Sequence, residues 1–361
     1  MGMLRFITVS LAFFSFVLLI GVLISAQDIF IPFLIALVIA YFILILAKGI
    51  RTLSLYGRHI PSWLALIGSI SLLLGGIYLI FVLVSNNVTA LLEAAPVYQQ
   101  KLTSLVRNFF DFIGRPVPDF SKEFKELDVG SWLTNIVFTL TDIAGRAGII
   151  GIYLIFILVE SQYFEKKLLY MFNSNEARES AKTIIKTIMK QIQFYVVIKT
   201  VMGVITAILS YGILRFVGVN FADFWALLIF LFNYIPTIGA IVATILPCVL
   251  TLVQFESLFP FLVAAIGLTA IHFVIGNIVE PRTMGKYFNL SGLVIILSLV
   301  VWGQIWGIIG MFLGVPFMMI ISIVLSNFPR LRPIAVLLSQ KGTVDHRLKD
   351  EANQGDSLGH S

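Results

Sequence analysis

One cysteine, Cys248, stands in a chain of 361 residues. It excludes an internal disulfide and any zinc site built from several thiolates. Histidine is scarce too: His59, His272, His346 and His360 lie far apart, with no spacing suited to metal ligands. Charge is short as well. Asp, Glu, Lys and Arg make up 12% of the residues, where a soluble domain carries about 25%. No G-x-x-x-x-G-K-[ST] phosphate loop occurs, which excludes direct drive by ATP. There is no Ser/His pair at helical spacing, no paired Asp and no metal-ligand cluster, so the sequence points to no enzyme and no cofactor.

What remains is apolar. Hydrophobic residues supply 59% of the chain and the mean hydropathy is +0.99. This is the composition of an all-α polytopic membrane protein, a transmembrane helical bundle with the lipid bilayer as its main surroundings. The net charge of +6 reads as cytoplasmic loops and contacts to anionic headgroups, not as nucleic-acid binding. The first apolar run, residues 6–26, is long enough to span and is followed at once by another, so it reads as a retained helix rather than a signal peptide.

Each span needs about 20 apolar residues. Residues 6–26 and 30–47 are expected to form a tight helical hairpin around Gln27 and Asp28, with Pro32 in the first turn of the second helix. Lys48, Arg51, Arg58 and His59 follow. Short basic loops stay in the cytoplasm, so the N-terminus is expected inside. A third span over 63–85 completes an N-terminal part, 1–85. Residues 86–142 form an extracytoplasmic segment with charges of both signs. It reads as an amphipathic helix, a break at Arg115-Pro116-Val117-Pro118 and a shorter helix. Residues 143–192 hold a span returning to the cytoplasm and an amphipathic helix running into the next span. Residues 160–199 carry seven Lys and Arg against four Glu, as a cytoplasmic segment should. Lys199, one turn into the fifth span, is read as snorkelling to the headgroups. His272, alone on an apolar run, is read as hydrogen-bonded to a neighbouring helix. The tail, 327–361, is expected to be cytoplasmic and largely disordered.

The transport core, 193–326, contains two runs that are not simple spans. Residues 221–253 and 293–325 each cover 33 positions, about 50 Å as one helix. The first is interrupted at Asn233-Tyr234-Ile235-Pro236-Thr237-Ile238-Gly239. The second is broken by Trp302-Gly303, then Gly307, Gly310, Gly314 and Pro316. Pro removes a donor and clashes with the preceding turn, and Gly frees the backbone. Each run is expected to be a re-entrant hairpin, tolerable at membrane depth only inside protein or against water. Charge placement agrees. If residues 221–253 enter and return, the basic stretch 282–286 and the basic tail are both cytoplasmic. A span and hairpin, repeated in opposite orientation, would be an inverted repeat of the kind secondary transporters use.

Between these runs stands Gly276-Asn277-Ile278-Val279-Glu280-Pro281-Arg282. Glu280 is the sole carboxylate between Glu256 and Asp345. An ionisable group this close to the bilayer is a functional candidate, as an ion site or as the partner fixing Arg282. The stretch is expected to be a cytoplasmic hinge. Candidate substrate-path and gating residues are Asn233, Pro236, Gly239, Asn277, Glu280, Pro281, Arg282, Ser291, Gly303, Gly307 and Gly310. For Ser291 and Asn277 the plain alternatives are helix capping and local backbone bonding. Trp302 and Trp306 could stack on a sugar-like ring, although aromatics at this density usually pack.

These motifs resemble the autoinducer-2 exporter family of bacterial permeases. The resemblance rests on Phe232 through Gly239, Gly276 through Gly285, and Leu290-Ser291 through Trp302-Gly303 to Gly307–Pro316. It also takes in Ile31-Pro32-Phe33 and Tyr195 to Lys199-Thr200. It implies a transporter of the bacterial cytoplasmic (inner) membrane that assembles as a homo-oligomer and moves a small molecule or ion. Some members look like exporters of the furanosyl quorum-sensing signal, others like sodium (lithium)/proton antiporters. From the residues, Asn233, Asn277 and Ser291 suit a neutral hydroxylated metabolite. An antiporter would rest on Glu280. A non-transporting scaffold has little use for broken helices.

Overall fold

The structure, a computed structural model, describes residues 2–52, 54–55, 58–114, 145–171, 174–255, 257–284, 289–340 and 342. The proposed break at 115–118 with the shorter helix after it, the 285–288 stretch and most of the 327–361 tail lie outside the described residues. Among the described residues, seven helices are long and apolar enough to cross a membrane.

The helices are α1 (Gly2–Ser25), α2 (Gln27–Thr52), α3 (Ser62–Phe112), α4 (Ala147–Tyr170), α5 (Asn175–Val217), α6 (Ala222–Phe232), α7 (Ile238–Phe255) and α8 (Leu258–Val274). They continue with a π-helical turn (Ile275–Val279), α9 (Glu280–Met284), α10 (Gly292–Asn327) and α11 (Arg332–Leu338). Two-residue strands β1 (Ser54–Leu55) and β2 (Arg58–His59) pair antiparallel between α2 and α3. Two compact units result. One holds Met1–Ala40, Ile150–Val197 and Met284–Ser361; the other holds Tyr41–Ile149 and Ile198–Thr283.

Helical propensity and pattern carry further than the boundaries read from the sequence. Gln27 and Asp28 do not form a loop: Ala26 alone separates α1 from α2, its N–H donating to Val22 C=O and its C=O accepting from Phe30 N–H. Gln27 and Asp28 are the first turn of α2, where Asp28 complements the positive helix end. Pro32 therefore sits one turn inside α2 rather than at its start. Likewise, no helix end falls near Ser85. The third span and the amphipathic segment are one helix of 51 residues, about 77 Å long. Its apolar stripe changes from all-round to one-sided while the backbone runs on, because neither Gly nor Pro stands at the junction. Exposed apolar side chains such as Phe14, Ile77, Leu79 and Phe156 suit lipid, which is as apolar as a core.

Helix α5 has defined ends. Ser174 Oγ accepts from Ala177 N–H at 3.2 Å, an N-cap. At the far end Gly218 takes φ +82°, with Val219 N–H to Leu214 C=O and Gly218 N–H to Arg215 C=O. This is a Schellman stop, and its glycine permits the left-handed turn. Leu214 and Val219 then join Phe224, Trp225, Leu228, Ile229, Ala243, Leu250 and Leu268 in the main buried cluster. That cluster packs the end of α5 with α6, α7 and α8. His272 of α8 meets α7 as expected, with Nδ1 3.3 Å from Thr244 Oγ1, and lies 2.9 Å from Leu268 C=O.

Both interrupted runs fold back on themselves. Helices α6 and α7, of 11 and 18 residues, are joined by the turn 233–237. Gln254, in the last turn of α7, donates from Nε2 to Gly218 C=O at 2.8 Å. Its Oε1 accepts from Asn220 N–H, also at 2.8 Å. The run therefore ends where it began. In α10 the helical path fails at Trp306 (φ −134°, ψ 20°) and Gly307 (φ 62°, ψ −141°), and the two halves, 292–305 and 308–327, lie against each other. The Trp302 and Phe317 ring centroids are 4.5 Å apart, and a Cβ on Gly314 would meet Ser298 Oγ at 2.9 Å. On a straight helix positions 16 apart would be about 24 Å apart. The break is at Trp306-Gly307, one turn beyond the Trp302-Gly303 pair that the sequence marks. Gly303 is instead a contact position, where the Met311 side chain crosses it.

Candidate functional site

The tip of the first hairpin is tied to α5 by two neighbouring residues on each side. Lys199 Nζ donates to the Asn233 backbone carbonyl at 3.2 Å. Asn233 Nδ2 returns a bond to the Lys199 carbonyl at 3.4 Å. One residue on, Thr200 Oγ1 and the Tyr234 hydroxyl are 2.7 Å apart. Gly203, a turn below Lys199, leaves room for this: a Cβ there would stand 3.2 Å from Asn233 Nδ2 and 3.1 Å from the Phe230 ring.

Lys199 has a second partner. Its ammonium forms a salt bridge with Glu280, and the two side chains are only 6% and 13% exposed. Burying both charges is costly, and their mutual attraction with the added carbonyl bond compensates. The ammonium also lies at the C-terminal end of α6, where Asn233 is the C-cap and the unsatisfied carbonyls carry partial negative charge. Lys199 thus does not snorkel. A lone buried cation in the described spans finds the lone nearby carboxylate, 81 positions later in the chain.

Glu280 is aimed by the π-helical turn. The Glu280 N–H bonds to Ile275 C=O, five residues back. Pro281 explains the wide turn: its ring would clash with the carbonyl four residues before it, and it has no N–H to offer. The expected hinge at Gly276–Arg282 is therefore continuous helix with one inserted residue. Asn277, Pro281 and Arg282 are exposed on it, and the carboxylate of Glu280 goes to Lys199 rather than to Arg282. Pro281→Ala should let the turn relax to α-helical register, rotating Glu280 by about 100°. We expect a lower Tm even though Pro→Ala favours a helix by up to about 3 kcal/mol, because a broken buried pair costs about 3–5 kcal/mol. A raised Tm in thermal unfolding would show that the wide turn does not aim the carboxylate.

The remaining sequence candidates serve the two hairpins. Gly239 lies against the end of α6, where a Cβ would be 1.8 Å from Phe232 O. Pro236 is in the same turn, and Thr237 there takes φ 62°. In α10, a Cβ on Gly310 would be 1.9 Å from Trp302 O. Gly307 supplies the positive φ of that turn, in a region essentially reserved to glycine. Trp306 packs against Trp302 and Phe317 and donates from Nε1 to Leu23 C=O at 3.1 Å. The rings are used for packing and anchoring. Ser291 is the N-cap of α10, accepting from Val294 N–H at 3.2 Å, and its own N–H donates to Leu338 C=O at 2.9 Å.

A groove of about 700 Å³ lies between α5 and α8, lined by residues such as Leu209, Phe216, Phe259 and Ile266. The side chains that line it are apolar. Among the described residues no group of His, Cys, Asp and Glu is placed to hold a metal ion.

A multi-span helical bundle with interrupted helices, polar groups gathered at the break and a buried ion pair beside it has the construction of a membrane transport protein. The chain belongs to the AI-2E family of transporters: residues 12–330 match the family described as AI-2E family transporter. The Escherichia coli (strain K12) protein named AI-2 transport protein TqsA is 30% identical over 320 residues, covering 87% of this chain and 90% of that one. A protein of Haemophilus influenzae named as a transport protein is 29% identical over 336 residues, covering 89% and 93%. YhhT of Escherichia coli, also named for transport, is 30% identical over 209 residues, covering 56% and 59%. The protein is thus a membrane-embedded transporter.

Proposed function

We propose that the protein is a secondary transporter of a small, neutral, hydroxylated metabolite in the bacterial inner membrane. The observation that carries this is the first hairpin: an apolar run that ends where it began and has a non-helical turn, 233–237, at its tip. Such a tip is of use where it lines a solute path. The charges beside it compensate each other, and the other polar side chains there, Asn233, Thr200 and Tyr234, are neutral and tie the tip to α5. The substrate named for the E. coli relative, AI-2, is of this chemical kind and is the first solute to test. The family resemblance supports assembly as a homo-oligomer, and the basic segments support cytoplasmic termini.

The second hairpin is built by the same device as the first. An aromatic residue (Phe232, Trp302) presents a carbonyl to a glycine seven or eight residues later (Gly239, Gly310), with a positive φ at the bend between them. This supports reading both as re-entrant and the core as an internal repeat. A sodium (lithium)/proton antiporter using Glu280 is the alternative. It has less support, since Glu280 is already committed to Lys199.

The test is exchange of AI-2 and of simple neutral polyols in proteoliposomes holding the full chain, with and without proton or sodium gradients. Saturable exchange of a neutral solute is expected. Gradient-driven movement of protons and sodium with no solute exchange would replace this reading with the antiporter.

A further inference from the structure

Lys199 ties three elements together through one ammonium group. It sits on α5, bonds the Asn233 carbonyl at the broken end of α6, and pairs with Glu280 beyond the π-helical turn. Remove the ammonium and the Asn233 carbonyl loses the donor recorded for it at the break. The return bond from Asn233 Nδ2 is long at 3.4 Å and would have to hold the tip with Thr200 and Tyr234.

We propose that Lys199 is the positioning residue of the hairpin tip: anchored by Glu280, its ammonium caps the broken end of α6 and latches the 233–237 turn against α5, and transport proceeds through release of that latch. A simple structural ion pair would join α5 to α9 and no more. The ammonium of this one also bonds a backbone carbonyl of the hairpin turn. The π-helical turn, kept wide by Pro281, holds Glu280 at the far end of the latch. Gly276, within it, has nothing within 4 Å of where a side chain would stand, so the turn is not packed in on that side. Gly203 and Gly239 give the tip a close seat on either side.

The proposal rests on the transporter reading for its last clause, and the experiment separates the two. Backbone hydrogen exchange of the peptide covering 233–241 is measured by mass spectrometry on the full-length protein, alongside solute exchange in proteoliposomes. The variants are Lys199→Met, Lys199→Arg and the double Lys199→Met/Glu280→Gln, in which no charge is stranded. We expect tip exchange to rise about tenfold or more in Lys199→Met and in the double variant, the size set by losing one charge-assisted hydrogen bond. Solute exchange should change in the same two variants, and Lys199→Arg should bring both readouts back toward wild type. A double variant with wild-type tip exchange and wild-type transport would overturn the latch, leaving a pair that only joins two helices. Unchanged tip exchange in Lys199→Met would overturn it too. If the tip opens as expected while no protein, wild type included, moves a neutral solute, the latch at the tip stands and the neutral-solute reading falls.

Discussion

Alanine at Gly239 should unseat the first hairpin, and alanine at Gly310 the second. At Gly239 the added methyl carbon would lie 1.8 Å from the Phe232 carbonyl oxygen and 2.8 Å from its carbon. At Gly310 it would lie 1.9 Å and 2.6 Å from the same atoms of Trp302. Both neighbours are backbone, so no rotamer change relieves the overlap. Relief requires the hairpin arms to part, which at Gly239 draws Asn233 away from Lys199. The expected loss is at least about 3 kcal/mol, the upper end of overpacking costs in a filled core, with a lower Tm and strongly reduced solute exchange. Gly75 is the control. It lies within α3 with nothing within 4 Å of a Cβ, and alanine there should be neutral or slightly stabilising. A Gly239→Ala protein as stable as Gly75→Ala would mean that the two arms do not meet at this glycine.

The apolar spans and the two interruptions are legible in the sequence because hydrophobic runs, Pro and Gly act locally. Pro236 and Gly239 mark the first bend within a few residues of where it falls. In the second run several glycines compete, and local signals do not rank them. Gly303 and Gly310 answer to packing against Met311 and Trp302, while Gly307 alone has the backbone angles of the turn. Helix ends were harder to read where hydrophobicity changes but propensity does not, which is why α3 runs unbroken through Ser85.

The partner of Glu280 was hidden for a different reason. Arg282 is close in sequence, but the π-helical turn sets the facing of Glu280, and such a turn leaves no pattern beyond Pro281 itself. Lys199 could have been found by elimination. A cation a full turn inside an apolar helix needs a carboxylate, and only Asp223, Glu256 and Glu280 follow it before Asp345. The Asn233 carbonyl that completes the site is backbone, and no side-chain motif announces it.

Stranding either charge should be more damaging than removing both. Lys199→Met leaves Glu280 in a site where it is 13% exposed, with its cation gone. Glu280→Gln leaves the ammonium of Lys199, 6% exposed, with neutral partners. Each single change is expected to cost about 3–5 kcal/mol, the penalty for an uncompensated buried charge. The double variant has no charge to desolvate and should return most of the way to wild type. It should stay short by about 1 kcal/mol, because the Asn233 carbonyl still lacks its donor. Unfolding of the solubilised protein by heat or denaturant measures all four corners of the cycle, and a large coupling energy is expected. Added salt should change the coupling little, since a pair this buried is weakly screened. Two single losses that simply add in the double variant would show that the charges do not depend on each other. The incomplete recovery is the informative part, because it isolates what Lys199 does for the hairpin from what it does for Glu280.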